Sequence, residues 1–135
     1  MPNGKRELTN TEMEAFLKDN RFGVLAFAGD KPYALTMGYK YFKEAVLFGM
    51  VRTGRKLDYI KKNPNVCFGV WQMGEQSTVP SLKEQRYSSI ILEGELEEAT
   101  EANWSYYELP TPPEGVDLVA FILKPNTVGT LSANK

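Results

Sequence analysis

The segment Arg52-Thr53-Gly54-Arg55-Lys56 is where this sequence gathers residues able to do chemistry. A glycine at the opening of a helix lets a ligand come close to free backbone N–H groups, and a helix N-terminus favours an anion. Arg52, Arg55 and Lys56 add formal charge, and Thr53 adds a hydroxyl able to donate to a phosphate oxygen. Cations at a helix start oppose the helix dipole, so three of them there are mildly unfavourable unless an anion joins them. Two readings stand on these residues alone: a phosphate site, or cations that simply solvate a surface helix.

Other chemistry is excluded by what is missing. The chain has no histidine, which removes Ser-His-Asp and Cys-His pairs, histidine-bearing zinc sites and histidine-ligated haem. Cys67 is the only cysteine, so no intrachain disulfide, CxxC pair or iron–sulfur site can form. Its setting, Val66-Cys67-Phe68, predicts a buried structural thiol. Side chains so poorly equipped for catalysis point to a binding module or to a borrowed cofactor.

Charge is distributed unevenly. Residues 1–70 carry 12 Lys/Arg against 7 Asp/Glu, and residues 71–135 carry 4 against 10, for a net charge of −1. Arg52, Arg55, Lys56, Lys61 and Lys62 make a compact basic cluster. On a near-neutral protein such a cluster suits a small anion better than a nucleic acid. Met1-Pro2-Asn3-Gly4-Lys5 leads into no apolar signal stretch, and no window approaches the length of a membrane span, so a cytoplasmic location is expected.

The elements that must position these groups follow from periodicity and punctuation. With 135 residues, 42% of them hydrophobic and 24% charged, the chain reads as one domain, 1–135, with a core large enough to need no metal or disulfide. Thr9 and Glu12 form a capping box, Leu8 and Met13 have staple spacing, and a helix is predicted over 10–19. Strands are predicted at 21–28, 33–41, 45–51, 65–73, 87–96, 117–124 and 127–131. Lys43-Glu44 turns the second strand into the third. A helix over about 53–63 is capped by Thr53 and ended before Pro64, and a short acidic helix lies within 97–109. The polar stretch 74–85 reads as a mobile loop, and Trp71 either as core, the favoured reading, or, with Gln72, as facing a ligand held with a partner subunit. In the second strand Leu35, Met37, Tyr39 and Tyr41 share one face, while Ala34, Thr36, Gly38 and Lys40 share the other. Three small residues on that second face permit either a close approach by a ligand or packing against a bulky neighbour. Short strands, tight turns and few helices give a closed antiparallel barrel with helices at its ends.

Three runs, PYALTMGYKY, AVLFGMVRTGRKLDYIKKNPNVCFGV and RYSSIILEGELEEAT, occur in this order, and GRKLxxIKxNPxVC with YxSxxxxGxxE is their most specific part. Over about residues 12–100 the chain resembles the pyridoxamine 5'-phosphate oxidase-like FMN-binding split barrels, nearest to the branch of nitroimidazole-resistance proteins. The resemblance implies a mainly β, α+β fold: a six- to seven-stranded antiparallel split β-barrel with flanking short helices. It implies FMN at the interface of a homodimer, with Arg55 and Lys56 on the phosphate-binding pair and Arg52 and Thr53 in the phosphate loop. Leu35, Thr36, Met37 and Tyr39 fall on the strand beside the flavin. Ser88 or Ser89 falls on the YxS strand, as a flavin partner or as a satisfied sheet hydroxyl. Phe48-Gly49-Met50-Val51 stands where many relatives carry a histidine, which puts any histidine-dependent step in question. The C-terminal third is short and Pro-interrupted, so an open substrate side is expected.

The function implied is that of an FMN flavoprotein oxidoreductase. It would pass hydride or electrons to a small-molecule acceptor, with NAD(P)H as a plausible donor, and would have no nucleic-acid or membrane partner. Two alternatives stand beside it: a non-enzymatic barrel for flavin or another phosphorylated ligand, and a deazaflavin-dependent reductase.

Overall fold

The computed structural model describes residues 4–135, so Met1 to Asn3 of the leader reading lie outside the described residues. Nine strands and four helices follow in the order β1 (Lys5–Arg6), α1 (Asn10–Asp19), β2 (Phe22–Phe27), β3 (Tyr33–Gly38), β4 (Lys40–Phe42), β5 (Ala45–Val51), α2 (Arg55–Lys62), β6 (Asn65–Met73), α3 (Pro80–Lys83), β7 (Tyr87–Glu98), α4 (Glu101–Tyr106), β8 (Leu118–Leu123) and β9 (Thr127–Ala133). All pairings are antiparallel, along the path β3-β2-β6-β7-β8-β5-β4. The ends of that path, β3 and β4, are successive stretches of one chain segment, so the sheet curls round on itself. The predicted second strand is thus two strands with different neighbours.

The barrel splits along β7. One edge of this 12-residue strand pairs with β6 over Tyr87–Glu95. The other edge pairs first with β9, over Tyr87–Glu93, and then with β8, over Leu96–Glu98. Gly94 sits at the changeover. A Cβ there would lie 3.1 Å from both Leu123 Cδ1 and the Lys124 carbonyl oxygen, so the close crossing favours glycine.

Strand alternation sends Leu25, Phe68, Ile90, Leu92 and Phe121 into the core, where Phe48 meets Phe68 edge-on with centroids 5.0 Å apart. Phe16 and Leu17 of α1 and Leu57 and Ile60 of α2 are buried against it, each contributing about 1.5–3 kcal/mol by burial. The hairpin at Lys43-Glu44 places both residues at positive φ, 51° and 64°, as a two-residue turn of matching twist requires. No helix among the described residues is long and apolar enough to cross a membrane.

Two segments differ from the sequence reading. Residues 74–85 are not a plain loop. They hold a single 3-10 turn and α3, with Pro80 in the first helical turn. Asp19 at the end of α1 fixes them, accepting from the Thr78 hydroxyl at 2.6 Å and from the Thr78 N–H at 3.1 Å. The acidic helix is shorter than expected because β7 continues to Glu98 and Thr100 then caps α4 in a capping box with Asn103.

Glu12 ties β1, α1 and α3 together. Arg6 donates to both of its carboxylate oxygens at 2.8 Å, the Thr9 N–H donates at 3.0 Å, and the Ser81 hydroxyl donates at 2.5 Å. Led by the Arg6 hydrogen bonds and helped by those from Ser81 and Thr9, these contacts outweigh burial and lower the Glu12 pKa to about 2. Unfolding returns the group to about 4.3. The stabilisation is therefore complete above the unfolded value and disappears as pH falls through the folded one. We predict that urea titrations will show Glu12→Gln with a weaker acid dependence than the parent between about pH 4.5 and 2. The difference should approach about 3 kcal/mol; identical slopes would mean that Glu12 is not the group responsible.

Candidate functional site

Tyr39 separates β3 from β4. Its N–H donates to the Arg21 carbonyl at 2.9 Å, its hydroxyl donates to the Leu17 carbonyl at 2.7 Å, and its ring meets Phe68 edge-on at 5.1 Å. Burial first, then the nearby Asp19 charge, holds this phenol neutral well above its ordinary pKa. Past this anchor the chain changes neighbour. β4 pairs with the first half of β5, Ala45–Leu47. β3 pairs with β2 alone, and the second half of β5, Phe48–Val51, pairs with β8 alone. A V-shaped gap therefore opens between two strand edges whose inward-facing N–H and C=O groups have no sheet partner.

The gap is walled by small residues. Ala34, Thr36 and Gly38 of β3 face outward and are exposed, as is Gly49 of β5. A Cβ at Gly49 would meet nothing within 4 Å, and one at Gly38 would meet Phe22 only at an ordinary 3.6 Å. The lips of the gap thus leave room for a flat ligand to reach the backbone.

The open end of the gap is where β5 runs into α2. Gly54, not Thr53, is the N-cap of that helix, at φ 117°, a conformation threonine rarely adopts. The helix therefore opens one or two residues later than predicted, and no side chain caps its first N–H groups. A Cβ on Gly54 would meet nothing within 4 Å. The three cations differ in their surroundings. Arg52 donates through Nε to Asp117 at 3.1 Å and lies 3.6 Å from Glu98, so its charge is compensated. Arg55 and Lys56 form no ion pair among the described residues. The Arg55 guanidinium lies over the Tyr33 ring at 4.1 Å and near the Tyr59 ring at 5.5 Å, which bridges the start of α2 to the start of β3. Arg55, Lys31 and Lys62, together with Asp30 and Asp58, also line an open cleft of about 700 Å³.

The other predicted site residues divide by face. Thr36 points outward, beside the gap. Leu35, Met37 and Tyr39 pack toward the core and offer the gap their backbone only. Ser88 is buried, with its hydroxyl 2.9 Å from that of Ser132, while Ser89 is the half-exposed, outward neighbour. Trp71 is not core. It is 57% exposed on the outer sheet face, tilted against Tyr87 at 5.9 Å. Cys67 is half-buried on the same face, not in the core, and burial, with a smaller effect of Glu93, pushes its thiol pKa up. Strand alternation from the buried Val66, Phe68 and Val70 accounts for both positions. Sequence reasoning missed Gly49 as part of the gap and missed the wall that Trp104, Leu109 and Pro110 form beside it. A glycine inside the apolar run of β5 was the available signal for the first.

The sequence matches the family described as pyridoxamine 5'-phosphate oxidase over residues 9–112. The chain belongs to that family. No curated protein matches it. Among solved structures, it is similar to an FAD-binding protein from Mesorhizobium loti, with TM-score 0.72, 23% identity, and coverage of 96% of this chain and 99% of that one. An FAD-binding protein from Mycobacterium smegmatis gives 0.71 and 19%, covering 93% and 97%. A protein from Bacteroides thetaiotaomicron, described as a candidate 5-nitroimidazole antibiotic resistance protein, gives 0.70 and 11%, covering 96% and 89%. At these identities the likeness establishes a shared fold. In this pyridoxamine 5'-phosphate oxidase family member the expected split barrel is therefore present, with nine strand segments where six or seven were predicted.

The contrast between two glycines tests the openness of the gap. A Cβ on Gly23 would lie 2.5 Å from Phe68 Cζ and 2.6 Å from the Gly69 carbonyl oxygen, inside the core. Gly38→Ala should leave the midpoint of urea unfolding within about 0.5 kcal/mol of the parent. Gly23→Ala should lower stability by about 1–3 kcal/mol or more through overpacking. Equal losses would show that Gly38 is packed in solution.

Proposed function

We propose that this protein binds a flavin, FMN, in the V-shaped gap, and that it does so as a homodimer that passes hydride or electrons to a small-molecule acceptor. The observation that carries this reading is the combination at one place of two unpaired strand edges, glycine lips, and an uncapped helix start flanked by Arg55 and Lys56, neither of which forms an ion pair among the described residues. A flat heterocycle rich in ring donors and acceptors suits the two edges, and a terminal phosphate suits the helix start. The FAD-binding proteins of the same fold support a flavin as the heterocycle.

The residues present fit such a group. Arg55 and Lys56 would hold the phosphate, the Gly54 backbone would let it approach the first N–H groups of α2, and Thr53 would donate its hydroxyl. The backbone of Thr36 to Gly38 and of Gly49 would orient the ring. When bound, the flavin supplies the two-electron chemistry, and the chain supplies binding, orientation and a positive potential. NAD(P)H is the donor class we propose. Replacing both Arg55 and Lys56 by alanine should weaken FMN binding by roughly 10–100-fold per residue, from about 1.5–3 kcal/mol per charge-assisted contact. Riboflavin, which lacks the phosphate, should lose far less by fluorescence titration. Equal losses would place the phosphate elsewhere.

The homodimer rests on the outer face of the sheet. Outward positions from Phe22 to Ala26, Cys67 to Trp71 and Tyr87 to Ile91 carry no charge. Phe22 is 67% exposed, and Val24, Trp71 and Ile91 are exposed as well. A contiguous apolar face of this kind marks an association surface, and a two-fold pair would cover it with its own copy. Because ligand held only by the dimer shifts assembly by mass action, FMN should tighten dimerisation. Sedimentation across a dilution series with and without FMN measures this. A monomer that keeps stoichiometric FMN would overturn the dimeric site while leaving flavin binding intact.

A further inference from the structure

Next to the gap, on the outer side of β4, β5 and β8, lies an apolar groove of about 290 Å³. Gly38, Lys40 and Gly49 line the side shared with the gap, and Trp104, Leu109 and Pro110 form the opposite wall. That wall is firmly held. Thr100 and Asn103 cap α4 reciprocally, Tyr107 is 3% exposed among Ala45, Leu47 and Ile122, and the Leu109 N–H donates to the Trp104 carbonyl at 3.0 Å. Lys43 closes the far end of the helix, donating to the Tyr106 carbonyl at 2.8 Å. The Trp104 indole N–H donates to no acceptor among the described residues, and its ring belongs to neither core cluster. Lys40 forms no ion pair there either.

We infer that this groove is the seat of the acceptor, and that it takes a flat, uncharged aromatic compound of one or two fused rings bearing an exocyclic oxygen. The inference rests on the flavin reading for its functional meaning, since the groove shares Gly38 and Gly49 with the gap. The class of compound follows from the walls. A lining that is almost wholly carbon penalises a charged ligand and favours a ring. Glycines on one side and an indole on the other leave a slot suited to a planar group. The only charged lining residue is Lys40, whose ammonium forms no ion pair among the described residues and lies 4.9 Å from the Phe42 ring centroid; with the indole N–H it makes the free side-chain polar groups of the groove donors, so the complementary ligand carries an electron-rich oxygen. The volume is at the low end for ligand sites, which limits the compound to about two rings.

The test uses 2,3-dimethyl-1,4-naphthoquinone, whose substituted ring offers Cys67 no open position for addition. Trp71→Phe leaves Trp104 as the sole tryptophan, because the chain has two. Titration of this protein should give saturable quenching of Trp104 fluorescence, and saturating FMN should not raise the apparent Kd more than about twofold. Pro110 and Lys40 are exposed, so changes there spare the core. Pro110→Glu should weaken the quinone at least tenfold and Lys40→Met several-fold, with FMN affinity unchanged in both. Non-saturable quenching, or quinone binding indifferent to both substitutions, would overturn the inference. Competitive displacement by FMN would also overturn it, because the groove would then be the flavin's own ring site. A failure of the flavin reading shows separately, as absent FMN binding in a protein that still binds the quinone.

Discussion

The bend at Tyr39 is the constraint on which the rest of the structure depends. A strand can satisfy its backbone groups on two edges only while both neighbours keep its course. Here one chain segment pairs with β2 before the bend and with β5 after it. Closing the curled sheet in this way leaves the second edge of β3 without a partner, and leaves the second half of β5 paired with β8 on one edge only. Exposed edges invite association, and proteins ordinarily blunt them with charge or cover. These edges carry neither: Ala34, Thr36, Gly38 and Gly49 leave the backbone accessible, which fits a site where another molecule completes the hydrogen bonding. The three contacts of Tyr39, to Arg21, Leu17 and Phe68, make the bend a fixed feature of the core.

Electrostatics follow the same division between structural and available groups. Arg52 is paired with Asp117 and Glu98 across β8 and β7 and so fastens the end of β5. As a fully exposed interaction it adds little stability, but it fixes where the following residues begin. Lys61 and Lys62 lie in the last turn of α2, where the dipole favours cations. Arg55 and Lys56 lie in the first turn, where it does not. Tyr33 and Tyr59 compensate part of that cost for Arg55 through its position over their rings. Glu12 is the counter-example, with its charge fully answered by Arg6, Ser81 and Thr9.

Much of this was legible in the sequence because it depends on local pattern. The alternation from Ala34 to Tyr41 named both faces of the strand correctly, and Thr9 with Glu12 gave the start of α1. What was not legible depends on distant partners. Nothing in the alternation marks Tyr39 as a change of neighbour, since the periodicity runs straight through it. Thr53 has the better side chain for a cap, and Gly54 takes the position because the backbone there must turn to positive φ. The apolar setting of Cys67 favours core, and so does the sequence reading of Trp71, yet both lie on the outer face. In a strand with one face buried, a continuous apolar run must put every second residue outside. The segment 74–85 looked loose because its anchor, Asp19, is more than fifty residues away in sequence. Gly74 lies so close to the Gln85 carbonyl that no side chain could occupy it.

The outer face and the gap are physically one surface. In the register of β2 and β3, Val24 stands beside Thr36 and Phe22 beside Gly38. The exposed apolar residues of β2 therefore continue directly into the β3 lip of the gap. Whatever covers Phe22 and Val24 must also come close to Thr36 and Gly38. In the proposed dimer, the partner would bury the apolar face and wall the gap in the same act, and the ligand would be enclosed without any lid having to move. The groove beside Trp104 lies on the other lip, reached from Gly49 and held by α4 of the same chain. Assembly would then govern how tightly the cofactor is held, and α4 with the Leu109-Pro110 segment after it would govern what reaches it. These two properties can change independently in sequence, because the residues that set them share only the edges of the gap.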